Sequence, residues 1–448
     1  MEIVFVEGLR TVKFDLVFSL ALAALVLFVG YFVQRRIPFL SRANIPAAAV
    51  GGLLFAGLVF ALHSKGLLGV SLNTTLRAPL QTAFFTTIGM SATLALLRAG
   101  GWRMGFFWLI ATLAAVVQNL VGMALAVALG APALLGVICG ALTLTGGPAT
   151  GQAWAERFEA LGVTGAGSLI IASALFGIFV SSLVGNPVAT ALIRRFRLAP
   201  ERIRSETRGR EDEFWALSPT IAPDEDESDA LRVSDSTKSK DAEPELDTTA
   251  LLHNLLLVLV VMGAGAALSP LIVSGVNAVL VFFGVQPGFI LPDYIGAMLV
   301  AAVLRNVDDR TRWFRVDARA VGIIAGVSLA LFLVIALMSL ELWKIAGLAL
   351  PMLLILCVQV LVTIAYAVFV TFILMGRDYE AAVTASGHVG FGLGITANAV
   401  ANMEALTERY APAPRSFLVV PIVGAFFIDF SNALVIGVFV NIYTSLAR

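Results

Sequence analysis

Of the 448 residues, 59% are hydrophobic and only 13% charged, and 30 Lys and Arg balance 30 Asp and Glu to a formal net charge of zero. With a mean hydropathy of +0.92, the chain cannot be a soluble globular protein and reads as a polytopic helical membrane protein. The balanced charge is gathered in loops and so points to no charged partner; nucleic acid is not expected, and lipid is.

Apolar runs long enough to span a bilayer occur at 16–33, 45–62, 79–97, 105–130 and 166–193, then at 251–268, 289–304, 321–339, 345–375 and 416–446. The first ends at Gln34-Arg35-Arg36 without a small-residue cleavage site, so it reads as a retained span. Ten spans result, five on each side of a polar break. Residues 1–193 form the first unit and 251–448 the second. Between them, residues 194–250 open with Arg194, Arg195 and Arg197 and turn acidic, as in Asp224-Glu225-Asp226-Glu227. Half of the chain's 30 acidic residues lie between Glu201 and Asp247, which describes a disordered linker.

Two stretches are too broken to span. Residues 133–162 hold an apolar arm, the turn Thr145-Gly146-Gly147-Pro148-Ala149-Thr150-Gly151 and a polar arm. Residues 378–408 hold a short arm, then Ser386-Gly387-His388-Val389-Gly390-Phe391-Gly392-Leu393-Gly394 followed by Thr396, Asn398 and Asn402. Irregular backbone survives in a membrane only when it is buried in protein or lines a cavity, because each unpaired polar group costs several kcal/mol. Each stretch therefore reads as a re-entrant helical hairpin with a glycine-rich break, and the glycines let backbone groups face a solute closely.

The halves match internally. Gln118 precedes Gly146 by 28 residues and Gln359 precedes Gly387 by 28; Met90-Ser91 recurs as Met338-Ser339, and Ile45-Pro46 as Leu291-Pro292. A tandem copy of a unit with an odd number of spans enters the membrane inverted, which predicts inverted repeats with a site at their interface. Counting Arg194, Arg195 and Arg197 but leaving out the rest of the linker, an external N-terminus places 16 Arg and Lys in internal loops against 7 outside. The positive-inside rule then puts both termini outside and the linker in the cytoplasm. The hairpins enter from opposite faces.

Several polar residues carry the chemistry. Asp429 is the one acidic residue well inside a span and costs about 2.5–3.5 kcal/mol to insert there. It is read as a sodium ligand beside Asn432, Asn402 and Gln118, or as a proton carrier; a neutral, hydrogen-bonded carboxylic acid is the structural alternative. Anionic substrate groups are expected at the positive ends of half-helices, against Thr145, Gly146, Gly147, Ser386, Gly387, His388, Gly390, Thr396 and Asn398. His388 either donates to a carboxylate or is a satisfied structural histidine. Gln118, Asn119 and Gln359 either line the site or bond between helices. Cys139 and Cys357 have no pair spacing, and no H-x-x-x-H, G-x-S-x-G or P-loop pattern supports an enzyme.

The segments Gly387–Thr396, Ala401–Tyr410 and Phe417–Asp429, with Phe84–Ala92, Gln118-Asn119 and Thr145-Gly146-Gly147, resemble the sodium/glutamate symporter family. The resemblance implies an all-α, homodimeric secondary transporter of the plasma membrane with ten spans and two hairpins. It further implies sodium-coupled import of L-glutamate or a related carboxylate, with an elevator-like movement of a hairpin-bearing domain against a dimerising scaffold. The chain departs from the family pattern at Pro148-Ala149, where His-Gly is usual, and at His388, where Arg is usual. A proton-coupled dicarboxylate or amino-acid transporter is the alternative, and a channel a more distant one.

Overall fold

A computed structural model describes residues 2–6, 9–42, 45–198, 248–282 and 292–446. Most of the expected linker, residues 199–247, lies outside the described residues, as does Leu291. The chain is mostly helical. Its helices are α1 Leu16–Arg36, α2 Pro38–Arg42, α3 Ala47–Ser64, α4 Arg77–Ser91, α5 Leu94–Ala128, α6 Ala133–Val137, α7 Gly147–Ala160 and α8 Ala166–Phe196. In the second half they are α9 Thr248–Phe282, α10 Asp293–Thr311, α11 Ala318–Met338, α12 Ala349–Leu374, α13 Tyr379–Leu393, α14 Thr396–Arg409 and α15 Pro414–Ser445.

Among the described residues, eight helices are long and apolar enough to cross a membrane: α1, α3, α5 from Gly100, α8, α9 to Ala278, α11, α12 and α15. The expected runs 79–97 and 289–304 are both helical but differ from a simple span. The first ends as a 15-residue helix at Ser91, and the chain restarts at Leu94 as the beginning of α5, which kinks at Gly101 (φ 56°). The second, α10, ends in the charged turn Arg305, Asp308, Asp309 and Arg310. Asp308 is spent locally, accepting from the amides of Phe314, Arg315 and Val316.

The mostly helical chain fits the all-α expectation, with one small sheet near its start. Glu2–Val6 and Leu9–Lys13 form an antiparallel hairpin, and the second strand pairs in parallel with Gly69–Ser71. Asp15 then caps α1 by accepting from the Phe18 amide at 3.0 Å, and that bond holds its carboxyl below the usual range.

Buried apolar residues divide the helices into two bodies. The first packs α1, α3, α4, α9, α10 and α11 around Phe85, Met298, Phe332 and Met90. Its backbones approach closely through small residues: a Cβ on Gly30 would stand 2.0 Å from the Ala47 carbonyl oxygen, and one on Gly51 2.2 Å from that of Val26. The second packs α5 to α8 with α12 to α15 around Phe107, Trp154, Phe158 and Phe391. Each body thus takes the corresponding elements of both halves: the first three helical runs go to the first body, and the fourth, the hairpin and the fifth go to the second.

Among the described residues, the polar ties between the bodies include that of the Leu94 amide at the start of α5, which donates to Asn306 Oδ1 of α10 at 2.6 Å. Arg77 donates to Gln152 through its carbonyl (3.0 Å) and its Oε1 (2.5 Å), Gln81 Nε2 donates to the Ala149 carbonyl at 2.8 Å, and the Glu341 amide donates to Ser168 Oγ at 3.1 Å.

Candidate functional site

Both broken stretches form hairpins in the second body. In the first, α6 runs into a wide π turn, Ile138–Leu142, bends through Thr143–Gly146 and resumes as α7. In the second, α13 continues regularly to Leu393, the backbone opens at Gly394 and Ile395, and α14 begins at Thr396. The break is therefore shorter than the glycine run. Gly387, Gly390 and Gly392 are helical, and at least two of them serve close packing: a Cβ on Gly387 would stand 2.7 Å from Met403 Sδ and Val420 Cγ1, and one on Gly390 2.4 Å from Ala399 Cα in the opposite arm. Only Gly394 lies in the opening.

The two tips meet. Gly147 has φ +68°, a conformation that favours glycine, and a Cβ there would stand 3.2 Å from Ile395 Cγ2 and 3.7 Å from the Gly394 carbonyl oxygen. Gln118 on α5 ties the tips together: its Nε2 donates to the Gly392 carbonyl (2.7 Å) and to Thr363 Oγ1 (3.1 Å), and its Oε1 accepts from Thr145 Oγ1 (2.7 Å). Gln359 Nε2 donates in turn to the Gln118 carbonyl at 2.6 Å. Asn119 Oδ1 accepts from the Ala141 amide, and Asn432 Nδ2 donates to the Ala141 carbonyl. Gln118, Asn119 and Gln359 thus bond between helices, and Gln118 and Asn119 tie both broken stretches to α5.

Two helices thus begin at one place, α7 at Gly147 and α14 at Thr396, each presenting the positive end of its dipole. Neither start carries a side-chain cap, as is also true of α3, α4, α6, α8, α10, α12 and α15, while Asp15, Asp317 and Asp378 cap α1, α11 and α13. Thr396 is half-buried and Ala397 exposed at the second tip. Such a pair of uncapped starts can hold carboxylate oxygens on backbone amides.

His388 lies one turn back from the tip, inside an aromatic cage. It stacks on Phe391 with centroids 5.2 Å apart, meets Phe107 and Tyr366 edge-on, and shares a 2.7 Å hydrogen bond between Nδ1 and Thr371 Oγ1. Ser386 is fully buried, and its hydroxyl has no partner. Asn402 Nδ2 donates to the Ser181 carbonyl at 3.1 Å, and Asn398 Nδ2 bonds to α8.

Asp429 is half-buried in α15, shortly after Gly424, whose Cβ would stand 3.3 Å from Thr396 Oγ1. No described residue donates a hydrogen bond to its carboxylate, so the reading of a neutral, hydrogen-bonded acid has no bond to support it. Across the boundary between the bodies, Tyr294 of α10 stacks on Phe85 with ring centroids 3.9 Å apart. The Tyr294 hydroxyl lies beside Thr150 and Trp154 of α7, and all three polar atoms are buried without a formed hydrogen bond. Tyr294, Trp154, Ser181 and Ser182 escaped the sequence reading. Adjacent serines inside an apolar span were the available signal for the last two; for Tyr294 there was none.

A profile of the sodium/glutamate symporter family matches residues 12–412. The sodium/glutamate symporter of Escherichia coli K12 is 37% identical over 426 residues, covering 95% of this chain and 97% of that protein. That of Haemophilus influenzae is 35% identical over 433 residues, covering 96% and 98%. The chain belongs to the sodium/glutamate symporter family. It is accordingly a membrane transporter and not an enzyme. Within the family, the tips that meet here are the segments that carried the resemblance, and the two departures from its pattern fall on the start of α7 and in the aromatic cage.

Proposed function

We propose that the protein is a sodium-coupled symporter of L-glutamate, working in the plasma membrane by alternating access. The observation that carries this reading is the meeting of two uncapped helix starts at Gly147 and Thr396 in a member of this family that also carries Asp429 in α15 with no hydrogen bond from a described residue. A dicarboxylate has two anionic ends, and the site offers two positive helix ends. Thr145, Gly146, Ser386 and Gly390 shape or support the tips around it, and His388 orders α13 from within its cage without touching the solute.

Asp429 is the sodium ligand in this reading. An unbonded carboxylate in a span attracts a cation, and Asn432 Oδ1, buried and unpartnered, is a second oxygen on the same helix. Sodium next to an anionic substrate raises its affinity, and the substrate raises that of sodium by the same factor.

The two-body division supports inverted repeats and an elevator-type movement. The second body carries the hairpins past the first, which is the scaffold and the dimer contact. Both termini lie outside and residues 199–247 inside, following the distribution of arginine and lysine.

Purified protein in proteoliposomes tests this directly. Labelled L-glutamate should accumulate under an inward sodium gradient and not under an equal potassium gradient at constant pH, and Asp429→Asn should abolish the sodium dependence. Equal accumulation under both gradients refutes the coupling; an Asp429→Asn variant with unchanged sodium affinity removes Asp429 from it.

A further inference from the structure

The geometry points to a second sodium site, formed by the Ile178 carbonyl, Ser181 Oγ, Ser182 Oγ and the side-chain oxygen of Asn398, between α8 and the start of α14. It rests on the sodium-symport reading above and adds to it an ion that joins the two halves of the chain.

Three oxygens converge on one nitrogen. Asn398 Nδ2 lies 2.7 Å from the Ile178 carbonyl oxygen, 2.7 Å from Ser181 Oγ and 2.8 Å from Ser182 Oγ. A primary amide has two hydrogens, so it cannot serve all three acceptors. The Ile178 oxygen is crowded from the other side as well: Ser181 Oγ at 2.9 Å and Ser182 Oγ at 3.2 Å both donate to it, making three side-chain donors for two lone pairs. Meanwhile Asn398 Oδ1 is fully buried with no partner. A hydrogen-bonded structural amide would have both ends satisfied.

Three oxygens thus gather round a nitrogen that can serve two of them, and the group at their centre has a spare buried oxygen of its own. A cation at the place now held by the nitrogen takes the same three oxygens, and the amide, swung back and turned over, supplies Oδ1 as a fourth. All four ligands are neutral. That suits a monovalent ion, since a divalent one would bring two positive charges into a site with no carboxylate among its ligands.

The location gives the ion a task. Gly394 lies against Ser181 so closely that a Cβ would stand 2.4 Å from its Oγ, so the cradle sits directly under the opening of the second hairpin. Ser386, with its unpartnered hydroxyl, lies further along the same face: a Cβ on Gly185 would stand 3.4 Å from its carbonyl oxygen. An ion bound to Asn398 fixes the first turn of α14, whose amides face the substrate.

The test is equilibrium binding of radioactive sodium to the purified full chain in detergent, without substrate, with folding checked by circular dichroism. Wild type should bind two ions. Ser182→Ala should weaken one of them at least tenfold and leave the other, whereas Asp429→Asn should remove that other one. Asn398→Asp separates a ligand from a hydrogen-bond donor: it has no amide hydrogens but keeps the oxygens, so sodium should bind it at least as tightly, and its thermal midpoint should rise more steeply with sodium than with potassium. The inference is overturned if Ser182→Ala and Asn398→Ala bind sodium as wild type does, or if Asn398→Asp loses the ion as Asn398→Ala does. A wild-type protein that binds no sodium overturns the symport reading itself.

Discussion

Replacing Gly390 with alanine tests whether the glycines of α13 pack the hairpin or open it. The added methyl would stand 2.4 Å from Ala399 Cα, 2.6 Å from Ala399 N and 3.0 Å from the Asn398 carbonyl carbon. All three are backbone atoms, so no side chain can turn aside. Restoring ordinary contact at about 3.4 Å requires the arms to part by about 1 Å, and overpacking of this kind costs about 1–3 kcal/mol. The displaced element carries Asn398 and the uncapped start of α14, and a misplacement of about 1 Å at a reacting or binding group can cost about 100-fold in rate. In proteoliposomes, Gly390→Ala should lower sodium-driven glutamate uptake by one to two orders of magnitude (about 10- to 100-fold) and should lower the thermal midpoint. The control is Gly57→Ala in α3, where a Cβ meets nothing within 4 Å; it should transport normally and gain about 0.5–1 kcal/mol from helix propensity. Wild-type uptake by a folded Gly390→Ala protein would refute the packing argument and return these glycines to the role of breaking the backbone.

Gln118→Ala removes bonds to Thr145, Thr363 and Gly392, each worth about 0.5–1.5 kcal/mol, and unties the two tips; thermal unfolding should show the loss of stability, and the KM for glutamate should rise with it. Arg415 bonds both Glu380 (2.8 Å) and Asp378 (2.9 Å) where α13 meets α15, but its own side chain is 47% exposed. Arg415→Met should therefore cost only about 1 kcal/mol, with Glu380→Gln in the same protein recovering part of it, as a double-mutant cycle on thermal unfolding would show. If the bodies move past one another, joining them stops transport: with Cys139 and Cys357 removed, cysteines at Gln81 and Ala149 linked by a bifunctional thiol reagent should arrest uptake, and cleavage of the linker should restore it. Transport by the linked protein would exclude relative movement at this boundary.

Hydropathy located the long spans well because twenty apolar residues have few soluble alternatives, and α1, α3, α8 and α11 begin and end within a few residues of the expected limits. It was less informative where a helix is short or charged at one end, as in α4 and α10. The hairpins were legible as regions, since glycine beside threonine and asparagine is an unusual composition for a span. The position of the second break was not. Glycine weakens a helix and also lets helices touch, and only the opposite arm, with Met403 and Ala399 against Gly387 and Gly390, decides which effect wins. The polar partners were hidden for another reason: Asn398 and Ser181 are 217 positions apart, and Gln118 and Gly392 are 274 apart. No local pattern reports such a pairing.

Most helix starts in this protein lack a side-chain cap, and at α7 and α14 that lack bears on the proposed substrate site. In a bilayer an unbonded amide costs several kcal/mol, and an Asp, Ser or Thr before α7 and α14 could satisfy one as Asp378 does before α13. Gly146 and Ile395 stand there instead. An acidic cap would occupy the very amides a carboxylate must reach and would repel it besides. In the proposed reading, the missing caps leave these amides to the substrate. The ties from Gln118, Asn119 and Asn432 to the tip backbone hold the hairpins in register while the starts stay open, which is why polar side chains otherwise costly in a membrane gather around this one place.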